Sequence, residues 1–523
     1  MIEMDWLKKW SRYSPTSVAF KDADTGAEYS YGSLYYLSCR LAQHLKATFA
    51  IQSGDRVASL AGNELEYLPL FFALQRLGAI LVPVNFRLTA REISHILGDC
   101  DAKLLISQTA FATIVEDVEK RALPPAHWSF DKVGGSTPSL REFIGAELKK
   151  FNDENLLSAL RTSGQKSWIV DFSGSLESTS MILYTSGTTG APKGAMISNQ
   201  MLHWNSINTS LRLNLQQADV SLSFLPLFHT GGWNVLLTPF VHRGARTVLM
   251  RKFEPTRVLS LCESEGVTIL FGVPTTMNMM AHEPSFDSVN LSTLRYAIVG
   301  GEPMPVELIR TWKKKGVPIR QGYGLTEFGP NVFSLNEEDA IRKIGSIGFA
   351  NFYIQTRIVD ASNREVGTGE IGELLLSGPM CTPGYWRNQK ATEATIQDGW
   401  LHTGDLVRCD EEGYFYVVGR KKEMFISGGE NVYPVEVEQF LGTHPAVREV
   451  AVIGVPDPKW GEVGRAFVSL KKGSATNEEE LLKYCLSGLA KFKTPKQVTF
   501  VPELPKGDSG KILKRKLAEF VSN

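Results

Sequence analysis

The residues best suited to chemistry in this 523-residue chain form one run, Tyr184-Thr-Ser-Gly-Thr-Thr-Gly-Ala-Pro-Lys193-Gly194. Thr185, Ser186, Gly187, Thr188, Thr189 and Gly190 are each a hydroxyl carrier or a glycine. Glycine lets a backbone turn and come close to an anion, and successive N–H groups in such a turn form an anion-binding concavity. Four hydroxyls and the Lys193 ammonium could then reach the same phosphate oxygens. A solvated Gly/Ser/Thr surface loop is the competing reading, and the fixed Pro-Lys-Gly exit argues against it. The run is not a Walker A loop, which needs G-x-x-x-x-G-K-[ST]. Gly187 and Gly190 stand too close together, and Gly194 rather than a hydroxyl follows Lys193.

The elements that would position this loop read as alternating strand and helix. Ser180–Tyr184 is a short apolar run, so the loop is expected at a strand end. Further strands are expected at 56–60, 102–106, 247–250, 267–271 and 294–299, and a helix at 64–77. That alternation implies parallel α/β layers. Residues 124–179 read as a peripheral excursion, with Pro124-Pro125 and Gly134-Gly135 breaking the pattern. From about 345, glycine-rich turns such as 367–376 and 413–419 suggest a small β subdomain. Past Lys422, a helix near 434–441, a strand near 449–455 and a helix near 477–490 suggest a separate α+β domain.

Composition excludes several classes of function. The 56 basic and 56 acidic residues leave no net charge, so nucleic acid is not an expected partner. The longest apolar stretch, Leu68 to Val84, is broken by Pro69, Gln75-Arg76, Gly78 and Pro83, and reads as a buried helix and strand. No signal peptide is read at the start of the chain, and the tail matches no prenylation or peroxisomal signal. The six cysteines are scattered without a C-x-x-C pair, which suits reduced thiols and a cytoplasmic location. No Cys/His metal site is visible.

More unusual segments follow the opening run, in a fixed order. They are Ser223-Phe-Leu-Pro-Leu-Phe-His229-Thr-Gly-Gly-Trp233, Val299-Gly-Gly-Glu-Pro303 and Gln321-Gly-Tyr323-Gly-Leu-Thr326-Glu327. Then come Trp400-Leu-His-Thr-Gly-Asp405, Gly419-Arg420-Lys-Lys422-Glu-Met-Phe-Ile-Ser-Gly428-Gly-Glu-Asn-Val-Tyr-Pro434 and Leu504-Pro-Lys506-Gly-Asp-Ser-Gly-Lys511. Over almost its whole length the chain resembles the adenylate-forming superfamily, which holds acyl- and aryl-CoA synthetases, nonribosomal adenylation domains and beetle luciferases.

The resemblance implies a large N-terminal domain over 1–421, of two α/β lobes plus the β subdomain, and a smaller mobile α+β domain over 422–523. It implies ATP, Mg²⁺ and CoA as the small molecules used, together with a carboxylic acid, and it allows a homodimer. The 185–193 loop would grip the β/γ-phosphates. Thr326 would bond the α-phosphate and Glu327 would hold Mg²⁺, although a Thr-Glu pair is also an ordinary helix start. Tyr323 would stack on adenine, with Gly301, Glu302, Gln321, Gly322 and Gly324 around it. Asp405 would accept the ribose hydroxyls, with Arg420 beside it. Lys511 would bridge carboxylate and α-phosphate, and Lys422 would be the hinge. Ser427, Gly428 and Gly429 would line the CoA arm, or form only a hairpin turn. His229, counted with the catalytic set, would also line the acyl pocket with Trp233, Val273 and Thr275. Trp233 could equally be plain core.

No fixed negative charge stands among these pocket residues, so the substrate is expected to be an uncharged acid tail rather than a zwitterion. A medium- or long-chain fatty acid is the leading expectation. An aryl acid is the alternative, as is a carrier protein in place of CoA. A luciferase-type oxygenase and a non-enzymatic nucleotide binder remain distinct from all of these.

Overall fold

The computed structural model describes residues 4–120, 126–134, 137–151, 167–185, 192–302, 304–507 and 512–520. They fall into two compact units. The first takes in Met1–Ile344, Ala350–Gln355 and Ser377–Leu401, and the second Gly345–Phe349, Thr356–Leu376 and His402–Asn523.

One lobe of the first unit is a six-stranded sheet. Its order is Ala126–Ser129, Leu104–Ser107, Arg56–Leu60, Ile80–Pro83, Thr179–Thr185 and Lys193–Ser198. All pairs are parallel except the last. Every residue of Ile80–Pro83 and Leu104–Ser107 is buried. Both faces of such strands are covered, which is why they read as unbroken apolar runs. The Tyr67–Leu77 helix is nearly as buried, and Pro69 is tolerated in its first turn. Its one charged side chain, Arg76, pairs with buried Asp5 at 2.7 Å, because a buried guanidinium needs a partner. The stretch expected as a peripheral excursion is partly built into this lobe. Ala126–Ser129 forms its edge strand, and Leu140–Lys150 is a helix with a Ser139/Glu142 capping box. Residues 152–166 lie outside the described set.

The other lobe orders its strands Phe333–Ser334, Ile319–Tyr323, Tyr296–Val299, Ile269–Gly272, Val220–Ser223, Arg246–Leu249, Val18–Asp22 and Glu28–Ser30. The six from Ile319–Tyr323 to Val18–Asp22 are parallel, and an antiparallel strand closes each end. The helices Pro255–Ser264, Pro274–Ala281 and Val306–Lys314 bury Leu259, Met277, Met280 and Trp312 with these strands.

The second unit holds the expected small β structure, ordered Gln355–Val359, Gly372–Ser377, Trp400–Cys409, Phe415–Arg420 and Ser346–Ala350. It also holds a five-stranded sheet built on the long Val447–Asp457/Gly461–Leu470 hairpin. The helices Pro434–Gly442 and Glu478–Leu486 share a core with Phe425, Val452 and Val468 of this sheet. Lys422 therefore lies inside the second unit. Among the described residues no helix is long and apolar enough to cross a membrane, and no cluster of His, Cys, Asp and Glu could hold a metal. Burial pushes the Cys100 and Cys262 thiols up to about 12, the behaviour of inert core thiols.

Candidate active site

In a parallel α/β sheet every strand delivers its following loop to the same edge, and ligands bind there, at the point where successive connections diverge. The motifs noted above occupy that edge of the second lobe. His229 follows Val220–Ser223, Val273 and Thr275 follow Ile269–Gly272, Gly301 and Glu302 follow Tyr296–Val299, and Gln321, Gly322 and Tyr323 end Ile319–Tyr323. From Val220–Ser223 the chain moves to Arg246–Leu249 on one side and then returns to Ile269–Gly272 on the other. The divergence point lies between those neighbours.

A narrow crevice sits there, lined by Ser221, Leu222, Ser223, Phe224, Leu225, Gly231, Gly232, Leu236 and Phe271. Its walls carry no charge. A Cβ on Gly231 would meet the Phe271 ring at 3.5 Å, whereas one on Gly232 would strike the Pro226 carbonyl oxygen at 2.4 Å. Gly231 thus leaves room beside Phe271, and Gly232 allows the chain to cross itself.

Val299 pairs with Gln321, bringing the glycine-rich turn and the Tyr323 strand side by side. Gln321 is buried; its side-chain Oε1 accepts the Met304 N–H at 3.1 Å, and its Nε2 donor has no hydrogen-bond partner among the described residues. An orphaned buried donor is costly unless a ligand acceptor meets it. Tyr323 is set edge-on to Phe333 at 5.8 Å between ring centres. Gly324 is required by packing, since a Cβ there would fall 1.8 Å from the Pro330 carbonyl oxygen.

Thr326 and Glu327 form a short 3₁₀ turn pinned by buried Phe328. Glu327 Oε1 accepts the Tyr385 hydroxyl at 2.9 Å, and its backbone carbonyl accepts the Thr382 N–H at 2.8 Å. The ring of Tyr385 lies 5.3 Å from Lys193 Nζ. Burial first, and then the neighbouring Glu327 charge, push the Tyr385 hydroxyl above its usual range, so it stays a donor. The 382–386 segment runs beside the Lys193–Ser198 strand, with Trp386 N–H donating to Gly194 O at 2.7 Å. Thr185 and Lys193 face each other as the last pair of the antiparallel Thr179–Thr185/Lys193–Ser198 ladder. The two described ends of the phosphate run are thereby fixed, while Ser186, Gly187, Thr188, Thr189 and Gly190 lie outside the described residues.

Trp233, expected in the acyl tunnel, is fully buried in the main core instead. It packs on Phe71 at 5.0 Å and Tyr67 at 6.0 Å, and its indole N–H donates to Leu227 O. Thr275 is exposed at the helix start, and it is Thr276 that bonds the Val273 backbone. Half-buried His229 contacts Phe228 at 4.7 Å between ring centres. Asn63, to which nothing in its local sequence pointed, anchors this loop: its side chain accepts Leu227 N–H at 3.0 Å and donates to Leu225 O at 2.9 Å. Tyr385 was likewise missed, in a Gly-Tyr-Trp-Arg run whose only local signal is its aromatic and cationic density.

In the second unit, buried Asp405 and Arg420 are cross-strand partners, with Arg420 Nε 2.9 Å from Asp405 Oδ1. Glu373 supports the preceding turn, accepting Gly404 N–H at 3.2 Å and pairing with Lys421 at 2.8 Å. Burial raises the Glu373 carboxyl, but the bond and charge of Lys421 together with those of His402 hold it below the usual range. Gly428 and Gly429, at φ +61° and +89°, are the two central residues of a tight hairpin whose flanking pair is Ser427 and Glu430. Positive φ at both positions is the turn that matches strand twist. Lys511 lies outside the described residues.

Family models match the chain twice, as "AMP-binding enzyme" over residues 7–386 and "AMP-binding enzyme C-terminal domain" over 436–511. It is 38% identical to a feruloyl-CoA synthase of Amycolatopsis sp. over 97% of both chains. It is 35% identical to the long-chain-fatty-acid–CoA ligase FadD13 of Mycobacterium tuberculosis, over 99% of this chain and 98% of that one. The structure of the Bacillus subtilis O-succinylbenzoate coenzyme A synthetase in complex with ATP and magnesium ion superposes with a TM-score of 0.84, at 29% identity, over 98% of this chain and 99% of that one. The chain belongs to the adenylate-forming superfamily, in its acyl-CoA synthetase branch, and is an AMP-forming acid–CoA ligase.

Proposed function

We propose that the enzyme activates a compact, uncharged carboxylic acid, aromatic or arylalkenoic, to its acyl-AMP and then to its CoA thioester. The observation that carries the substrate class is the charge-free crevice at the strand divergence point, walled by Phe224 and Phe271. Uncharged walls suit an uncharged acid tail, and a zwitterion would find nothing there to offset its desolvation. The feruloyl-CoA synthase at 38% identity agrees with this reading. The fatty-acid expectation leaned on Trp233 as a tunnel residue, and its hydrogen-bonded core packing withdraws that support. A long aliphatic acid is kept as a second reading by the FadD13 relative.

In this reading the acid and ATP meet at the strand ends. Gln321 Nε2 donates to the adenine, Tyr323 packs on it, and Gly301, Glu302, Gly322 and Gly324 shape its slot. Asp405 and Arg420 take the ribose. Thr326 bonds the α-phosphate, and Lys193 with the 185–190 run holds the β/γ-phosphates. The carboxylate of Glu327 is a hard oxygen donor that fits Mg²⁺. When bound, such an ion offsets phosphate charge as pyrophosphate leaves. Lys511 brings a cation to the carboxylate and α-phosphate as the C–O–P bond forms. Rotation at Lys422 then exchanges it for the Ser427–Gly429 turn, and the CoA thiol displaces AMP.

The test is CoA-dependent AMP release across benzoic, cinnamic and aliphatic acids, with Gly231→Ala alongside the native enzyme. The variant is expected to fold normally and to raise KM for the preferred acid by about tenfold, the scale of one methyl in a packed slot. Turnover confined to long aliphatic acids, or an unchanged KM in Gly231→Ala, would reject the compact-acid reading.

A further inference from the structure

The cross-strand pair of Asp405 and Arg420 is held only loosely by its own two strands. Arg420 leaves 53% of its side chain exposed, and an ion pair with so open a partner adds little by itself. On one side of the pair the register slips between Leu406 and Val407, and on the other Gly404 turns left-handed at φ +70°. A ladder interrupted so close to a pair bends and twists there. Support comes from the neighbouring strand. Gly372–Ser377, Trp400–Cys409 and Phe415–Arg420 lie side by side in that order. Glu373, buried on the first, accepts Gly404 N–H at Oε1, 3.2 Å away, and its Oε2 lies 2.8 Å from Lys421 Nζ and 3.5 Å from His402 Nδ1. One carboxylate thus reaches across the middle strand and grips the residue before Asp405 and the residue after Arg420. The Thr403 hydroxyl adds a second tie, donating to Leu374 O at 2.7 Å and accepting Asp405 N–H at 3.0 Å.

We infer that Glu373 is a positioning residue for the ribose: it locks the Asp405–Arg420 pair from the side, so that the Asp405 carboxylate is already oriented when the ribose hydroxyls arrive. Taking a carboxylate out of water is costly unless its partners repay it, and the partners of Glu373 are the elements that carry the ribose pair. An acceptor fixed beforehand needs no reorganisation as the nucleotide binds. A misplaced one loses the geometry on which attack at the α-phosphate depends. The inference deepens the ribose role given to Asp405 and Arg420 above and rests on it.

The test compares acyl-AMP formation from ATP with that from 2′,3′-dideoxy-ATP, which lacks the hydroxyls in question. Glu373→Gln keeps an acceptor for Gly404 and removes the charge that holds Lys421. It is expected to lower kcat/KM for ATP by about tenfold, mainly through KM, and to leave the dideoxy nucleotide within about twofold. Lys421→Met removes the other end of the tie and should show the same asymmetry at smaller size, whereas Lys421→Arg should keep the native preference for ATP. If Glu373→Gln fails to fold, Lys421→Met alone decides. An equal fall with both nucleotides, or an undiminished preference for ATP, overturns the positioning role. Asp405→Ala run in parallel separates the two claims. If the preference survives in Asp405→Ala, the ribose reading fails and the inference with it. If it is lost there and kept in Glu373→Gln, only the role of Glu373 fails.

Discussion

The nucleotide end of the first unit and the described chain on either side of Lys511 in the second are held by different physics. In the first, Gln321, Tyr323, Gly301 and Lys193 sit at or within a few residues of strand ends, and backbone ladders between buried strands place them. In the second, ion pairs of Lys506 and Lys514 with Glu449, Glu423 and Glu438 fix those flanks. A ladder cannot shift without losing many bonds together, whereas a charge pair can be remade with another partner. The difference suits the proposed function, in which a fixed floor meets a cation that comes and goes.

The largest expected effect breaks the ladder side. Gly324→Ala would place a methyl 1.8 Å from the Pro330 carbonyl, which backbone must move to relieve, at about 1–3 kcal/mol or more. ATP–pyrophosphate exchange is expected to fall at least about a hundredfold, since in the proposed reading the displaced backbone shapes the adenine slot. Urea unfolding and the exchange assay check both halves. Exchange near the native rate would mean the Gly324–Pro330 approach is not needed.

The next variant sharpens the contrast at a place where the ladder side relies on a side-chain hydroxyl. Tyr385→Phe keeps the ring near Lys193 and removes only the donor to Glu327. Bonds to charged groups contribute about 1.5–3 kcal/mol, so the half-saturating Mg²⁺ concentration is expected to rise about tenfold. A Mg²⁺ titration of acyl-AMP formation, with isothermal titration of ATP binding, measures it.

The effect that is smallest at neutral pH concerns charge in the first unit, where a buried base stays neutral. Burial first, and then His203 and Arg243, pull His242 down from 6.5 to about 3. It stacks on Trp6 at 4.3 Å and bonds Ser206 Oγ at 2.8 Å. Its folded value is depressed, so the unfolded chain takes the proton first. Stability from this group is complete above pH 6.5 and is lost as pH falls toward 3. The loss is about 1.4 kcal/mol per pH unit in that window. Urea midpoints against pH should fall less steeply in His242→Asn than in the native enzyme.

The parts legible in the sequence were those whose signal is local. The Ile80–Pro83 and Tyr296–Val299 strands announce themselves as apolar runs, and the motifs at their ends carry unusual glycine and hydroxyl density. The Gly428–Gly429 turn was readable as a hairpin because two glycines suit two positive φ angles. What escaped were single residues whose partners are distant in the chain. Tyr385 bonds Glu327 across 58 positions, Lys514 reaches Glu423 across 91, and Asn63 reaches Leu225 across 162. Trp233 shows the converse: residue type and motif position suggest a substrate contact, and only packing against Phe71 and Tyr67 reveals core.

Asn63 also bears on how far this protein can be rebuilt from parts. Its amide spans from one lobe to Leu225, Leu227 and Met250 of the other, at 2.9, 3.0 and 3.3 Å. The loop that frames the proposed acid-binding crevice therefore takes its shape from a residue that belongs to the other lobe. A chimera that exchanged the second lobe alone would inherit a crevice with a foreign buttress. Grafting acid preference between relatives calls for moving Asn63 and its loop together with residues 223–236.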